Sequence, residues 1–316
     1  MSTTPLPEAR AAPRRSPPRD AIKRPSRRSA VRAALRARPL IAFFALSYAV
    51  SWCLVPLGVF LPFGPAVAAL IVLSAVDGKP GRRALRDRVL RRPTRRRWYA
   101  IAIVLPLAIA LSAIWLNVAA GAPAAAVDGL DPWYLLALAF VARLMNPLDG
   151  PLGEEPGWRG FALPRLQATR SPLRATLILS VLVAGWHVPL VLLPSEHLAP
   201  VLLLGTIAVT FIYTWLFNRT GGSVLTTLLA HAAEGTIRLA TLGFVPTDAT
   251  RLYTFYTAAL CLVAAGLIVC DRRSWQRPAR SVPGAISAGG PRRPPARPRG
   301  HGRRSAHAHD AALTTD

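Results

Sequence analysis

The sequence predicts an all-α protein: a polytopic membrane bundle of about eight transmembrane helices, the fourth of them broken, between two disordered basic tails. Two observations predict it. The 316 residues are 52% hydrophobic with a mean hydropathy of +0.33, yet the formal net charge is +24. Most of the 39 cations fall in three blocks, residues 1–38, 77–98 and 271–316, and the chain between them reads as apolar runs of about 20 residues, the length a membrane-crossing helix needs. These blocks delimit a basic N-terminal tail (1–38), a transmembrane domain (39–270) and a basic C-terminal tail (271–316).

Hydropathy marks the runs at about 40–60, 64–76, 99–120, 133–168, 173–193, 198–217, 222–245 and 252–270. Pro62 and Pro65 separate the first from the short second. Charge tests the order, because cytoplasmic loops carry an excess of Lys and Arg. With the N-terminus inside, the outer loops hold Asp128, Asp131, Glu196 and Asp248 but a single cation, Arg251. The expectation is a multi-pass protein of the cell membrane with both termini cytoplasmic. Trp98, Trp133 and Tyr134 fall at span ends, where interfacial aromatics anchor helices. No internal repeat of the inverted-transporter kind is visible.

A basic chain can also bind nucleic acid. Here the cations flank hydrophobic spans, the tails have almost no aromatics for base stacking, and Arg outnumbers Lys 37 to 2. Such tails suit an anionic lipid surface, so the bilayer is the expected partner and nucleic acid is not. Cys53, Cys261 and Cys270 lie in or beside apolar runs without metal spacing and read as small hydrophobes. Residues 313–316 carry no prenylation box, so the chain is not expected to be prenylated itself.

The fourth run is the exception. After an apolar stretch, Asn146-Pro147-Leu148-Asp149-Gly150-Pro151-Leu152-Gly153 should break the helix. Glu154-Glu155-Pro156-Gly157-Trp158-Arg159 follows. Pro156 suits the first turn of a new helix, and both glutamates suit its positive end. Irregular backbone at membrane depth persists only where protein or a wet cavity satisfies it, so this spacing predicts a hydrated pocket. Ionisable residues at such depth are costly and usually functional; His187 in VLVAGWHVPLVLL and His231 in SVLTTLLAHAAEGTI are two more. Glu154 and His187 stand about sixteen positions either side of the turn at 168–172. At about 1.5 Å per residue they reach a common depth in an antiparallel pair. His231, about nine residues into its own run from the same face, can approach them. Glu155 precedes Arg159 by four residues, the spacing of a helical ion pair. Asp149 and Glu234 stand as supporting candidates. His197, His301, His307 and His309 read as solvated.

At these residues the chain resembles the CPBP family of intramembrane proteases, which includes CAAX prenyl endopeptidases and bacteriocin-processing or immunity proteins. Glu154-Glu155-Pro-Gly-Trp-Arg159 matches the family's EExxxR, and Gly160-Phe-Ala-Leu-Pro164 continues the likeness. His187 matches the histidine of FxxxH, with Val183 in place of the aromatic and Trp186 beside it. His231 matches the late-helix histidine, but Gly235 stands where the family often has Asn, a residue thought to help hold the developing charge. The likeness covers about residues 130–240. It implies an endopeptidase acting on membrane-embedded or lipidated peptides, with Glu154 as general base, His187 positioning the water, His231 donating to the oxyanion or ligating a metal, and Glu155 and Arg159 orienting the site.

Peptide hydrolysis needs an activated water and a stabilised oxyanion. Two histidines and a glutamate are also the ligands of catalytic zinc sites, so Glu154, His187 and His231 could hold a divalent metal. There is no HExxH, and the ligands come from three helices. Both a metal route and a metal-free glutamate route stay open at this point. So does a non-catalytic membrane protein of the same fold, an immunity factor or scaffold, since a fold does not fix an activity.

Overall fold

The computed structural model describes residues 27–124, 132, 134–193 and 199–276, all of them helix, turn or irregular chain. Fourteen helical segments follow in order: α1 Arg27–Ala37, α2 Pro39–Trp52, α3 Gly64–Val76, α4 Gly78–Val89, α5 Arg97–Ala119, α6 Tyr134–Met145, α7 Gly150–Gly157, α8 Leu163–Gln167, α9 Pro172–Trp186, α10 Val188–Leu192, α11 Leu202–Arg219, α12 Val224–Glu234, α13 Pro246–Cys270 and α14 Arg272–Gln276. The all-α membrane bundle is borne out. Five helical stretches among the described residues are long and apolar enough to cross a bilayer: Pro39–Leu57, Arg97–Ala119, Pro172–Leu192, Leu202–Arg219 and Pro246–Cys270. The bent pair α6 and Gly150–Gln167 makes a sixth if it counts as one span.

Eight crossings were expected, and two of them are short. The run at 64–76 is the 13-residue α3. The run at 222–245 is helical only through α12, 11 residues, after which the chain turns at Gly235 and takes a single 3₁₀ turn at Leu239–Thr241. Hydropathy averages over the turn and cannot see it. Within the basic segments, α1 lies inside 1–38 and α14 inside 271–316. The other residues of those segments, with Asp128, Asp131, Trp133, Glu196, His197, His301, His307 and His309, fall outside the described residues.

The break before the glutamates is shorter than Asn146–Gly153. Helix α6 ends at Met145 and α7 begins at Gly150, with a bend of 43°. The Asp149 side chain caps α7 by accepting from the Gly150 N–H at 2.8 Å. Pro151, with no N–H to lose, sits in the first turn. Pro156 therefore lies inside the helix, not at its start, and Glu154 and Glu155 sit a turn deeper than the sequence suggested. A π turn follows at Trp158–Ala162, closed by the Leu163 N–H on the Trp158 carbonyl. Such turns mark functional sites, and this one carries Trp158 and Arg159, which bond the two glutamates.

Small residues let these helices approach. A Cβ on Gly153 would lie 2.7 Å from the Pro62 carbonyl oxygen, and one on Gly157 would lie 2.5 Å from that of Pro65. Close backbone approach at glycine is the membrane substitute for hydrophobic driving force, and here it seats α7 against the start of α3. Two apolar cores result. The first joins α2, α3 and α9 to the π turn around Phe43, Trp158, Phe161 and Trp186. Rings stack or meet edge-on at 4.7 Å (Phe43–Phe161), 5.6 Å (Phe43–Trp158) and 5.6 Å (Trp158–Trp186). The second joins α5, α11 and α13 around Ile114, Tyr213, Leu252 and Tyr256. Helix α12 borders both, giving Val224 and Leu228 to the first and Ala230 to the second. On the basic face, buried Arg88 of α4 donates to the Gly160 carbonyl at 3.1 Å. Burial, with Arg165 and Arg91 nearby, pushes its pKa down to about 10.

Candidate active site

Helix α7 and the π turn supply the acidic half. Glu155 is fully buried and its Oε1 accepts from Arg159 Nη1 at 2.8 Å, the expected i,i+4 pair. The same oxygen faces His231 Nδ1 at 3.1 Å, so α12 is tied to α7 through the histidine. Glu155 Oε2 and Arg159 Nε are buried with no hydrogen-bond partner among the described residues. The Arg159 guanidinium also lies 5.0 Å from the Tyr213 ring centre. Glu154 is 5% exposed, and its Oε2 accepts from Trp158 Nε1 at 3.1 Å.

The other ends of Glu154 and His231 converge. A Cβ built on Gly150 would meet Glu154 Oε1 at 2.9 Å and His231 Nε2 at 2.9 Å. Gly150, with no Cβ, thus lets both groups come close to the same point over the backbone of α7. With Nδ1–H donating to the Glu155 carboxylate, neutral His231 presents an Nε2 lone pair to that point, the orientation a carboxylate partner imposes on a histidine.

His187 is held by its own helix. It caps the end of α9, and its Nδ1–H donates to the Val183 carbonyl at 2.8 Å, which leaves Nε2 for other use. Trp186 beside it is held by the aromatic cluster, and Trp52 Nε1 donates to the Trp186 carbonyl at 3.1 Å. His187 lines a cavity of about 490 Å³ with Arg143, Glu234, Gly235, Arg238 and Tyr256 among apolar residues of α11 and α13. Glu234 is clamped: Tyr213 donates to Oε2 at 3.0 Å and Tyr256 to Oε1 at 2.9 Å. Arg143 is paired with Asp149 at 3.0 Å.

Of the residues expected to converge, Glu154 and His231 approach the same point over Gly150 with Glu155 behind them, and His187 lies on the cavity wall. Among the described residues no three His, Cys, Asp or Glu side chains are grouped closely enough to hold a metal. The arrangement does not fit the three-ligand set read from the sequence, because His187 belongs to the cavity wall and its ring is turned by its own helix carbonyl.

Sequence reasoning missed Arg143, the Gly150 gap, the Trp158 donor and both tyrosines. Arg143 left a signal, as a lone cation in the apolar YLLALAFVARLM of α6, by the same cost argument that singled out the histidines. Trp158, Tyr213 and Tyr256 left none, since an aromatic in an apolar run is ordinarily core.

Fold and site together define a helical membrane protein with a buried carboxylate–histidine centre opening beside a cavity. Residues 132–237 match the family of Rce1-like type II CAAX prenyl endopeptidases. CAAX prenyl protease 2 of Methanococcus maripaludis is 26% identical over 144 residues, a stretch covering 42% of this chain and 51% of that protein. The chain thus spans about half the length of that curated relative. This stretch of the chain, which carries every candidate site residue, is thus similar to CAAX-type prenyl endopeptidases.

Proposed function

We propose that the protein is an intramembrane endopeptidase that hydrolyses membrane-associated or lipidated peptides, by a glutamate-activated water held between Glu154 and His231. The observation that carries this reading is the approach of Glu154 Oε1 and His231 Nε2, from two helices, to the same point over Gly150. Glu154 is held by the indole N–H on its other oxygen. It takes a proton from water while the hydroxide oxygen adds to the peptide carbonyl carbon. The carbonyl π bond breaks, the oxyanion forms, and collapse expels the amine, which leaves with the proton that Glu154 carried. Glu155 and Arg159 fix the His231 tautomer and balance charge. His187, on the cavity wall with Nε2 uncommitted, steers the scissile peptide and its water. The name of the archaeal relative favours a prenylated peptide among lipidated substrates. The loop charges favour both termini on the cytoplasmic side of the cell membrane.

The test uses detergent-purified protein, wild type beside Glu154→Ala and His187→Ala, incubated with a membrane-peptide library that includes prenylated members, products read by mass spectrometry. Cleavage lost in both variants supports the reading. Wild-type cleavage that persists in both contradicts a base at Glu154 and a steering role for His187. No wild-type cleavage, with a cellular phenotype surviving Glu154→Ala, moves the assignment to a non-catalytic member of the fold, the alternative that Val183 and Gly235 favour. A chelator arm decides the metal question: cleavage that persists supports the glutamate route, and loss restored by zinc means His187 moves in as a ligand.

A further inference from the structure

The space beside Gly235 is filled from outside its own helix. The three atoms nearest to a Cβ built there are Cζ, Nη2 and Nε of Arg143, all nearer than real Cβ contacts ever come. No residue but glycine admits the guanidinium in this position. Its far corner is anchored, since Nη1 is held by Asp149 at 3.0–3.1 Å, and Asp149 also caps α7. The face of the guanidinium lies over Gly235, with Cζ the nearest atom, and Nε is buried with no hydrogen-bond partner among the described residues. A buried N–H left unpaired is costly and asks for an acceptor. The residue lines the cavity beside His187, and through Asp149 it joins the same helix that carries Glu154. Of the other polar groups on that wall, the Tyr256 hydroxyl bonds Glu234, His187 Nδ1 its own helix and the Thr206 and Thr241 hydroxyls their own backbone, while Tyr253 and the exposed Arg238 also line it.

We propose that Arg143 is the oxyanion-stabilising residue of this site, and that Gly235 is the opening that lets its guanidinium reach the carbonyl oxygen of the substrate. This rests on the endopeptidase reading above. When water adds to the carbonyl carbon and the π electrons move onto oxygen, the Nε–Nη2 edge receives the negative oxygen in two hydrogen bonds, the fork geometry to which guanidinium is suited. No proton leaves Arg143. Asp149 holds the group in place before the charge develops, so little reorganisation is needed at the transition state.

The experiment compares kcat and KM on one cleaved peptide for wild type, Glu154→Gln, Arg143→Ala, Arg143→Lys, Gly235→Ala and the double variant Arg143→Ala/Gly235→Asn, with thermal unfolding in detergent alongside. Loss of one oxyanion donor costs roughly 10²–10³-fold in kcat, and Arg143→Ala is expected in that range with KM nearly unchanged. Gly235→Ala displaces only the tip of a flexible side chain, so it should keep the wild-type melting temperature and still lose kcat, which a purely structural role for Arg143 would not produce. Arg143→Lys should retain part of the rate, and the double variant should recover at least about tenfold over Arg143→Ala by offering an amide donor in the same space. Wild-type cleavage abolished by Glu154→Gln but undiminished in Gly235→Ala and Arg143→Lys overturns the proposal and leaves the endopeptidase reading standing. Wild-type protein that cleaves nothing overturns both.

Discussion

The two sides of the site are held by different means. On the side of the first core, polar groups are fixed along one helix: Trp158 bonds Glu154 and Arg159 bonds Glu155, each at i,i+4. On the side of the second core, they are fixed between helices: Tyr213 of α11 and Tyr256 of α13 clamp Glu234 of α12, and Arg143 of α6 lies over Gly235 just after α12. The first side is a rigid cassette that one short segment specifies. The second is assembled by packing and depends on how four helices stand. His231 joins them, its Nδ1 on Glu155 and its ring tilted 5.8 Å from that of Tyr213.

This difference sets the order of predicted effects. The largest falls on the cassette's reacting group. Glu154→Gln should lose cleavage by roughly 10²–10⁴-fold, the range of general-base catalysis, with an unchanged circular dichroism spectrum; a rate within tenfold of wild type would remove Glu154 as base. Next comes the buried ion pair. Arg159→Leu leaves Glu155 uncompensated, and breaking such a pair costs about 3–5 kcal/mol. A large drop in melting temperature in detergent is expected, together with loss of activity. Smaller effects belong to the assembled side. Tyr213→Phe or Tyr256→Phe each removes one donor to a carboxylate, about 1.5–3 kcal/mol. A double-mutant cycle on stability should show them coupled through Glu234, and strict additivity would break the clamp. Smaller still, Trp52→Phe deletes one neutral bond to the Trp186 carbonyl, about 0.5–1.5 kcal/mol. It should lower the melting temperature slightly and leave kcat nearly unchanged.

The same difference explains what was legible beforehand. The Glu155–Arg159 pair could be read because spacing on a helix fixes neighbours without knowledge of the fold. The return of α9 beside the broken helix could be read because a turn and a rise per residue fix depth. The turn at Gly235 could not, since its chain is as apolar as a span, and neither could the start of α7 at Gly150, where Asp149 and Pro151 outcompete Pro156 as the N-terminal signal. The orientation of the His187 ring was hidden for a related reason. Equal depth does not set the direction of a ring, and the Val183 carbonyl decides that direction here. The contacts of Arg143 with Asp149 and Gly235 need the bend between α6 and α7, which no local pattern encodes.

The most direct test of a water held between Glu154 and His231 is Gly150→Ala. The added methyl would meet Glu154 Oε1 and His231 Nε2 first, each at 2.9 Å, and alanine is at home in a first helical turn. Cleavage of a peptide that the wild type processes should fall by about 100-fold, the cost of displacing a reacting group by an ångström or so, while the melting temperature stays within a few degrees. Full activity in this variant would mean that the water is not held between Glu154 and His231, and the central claim would fail.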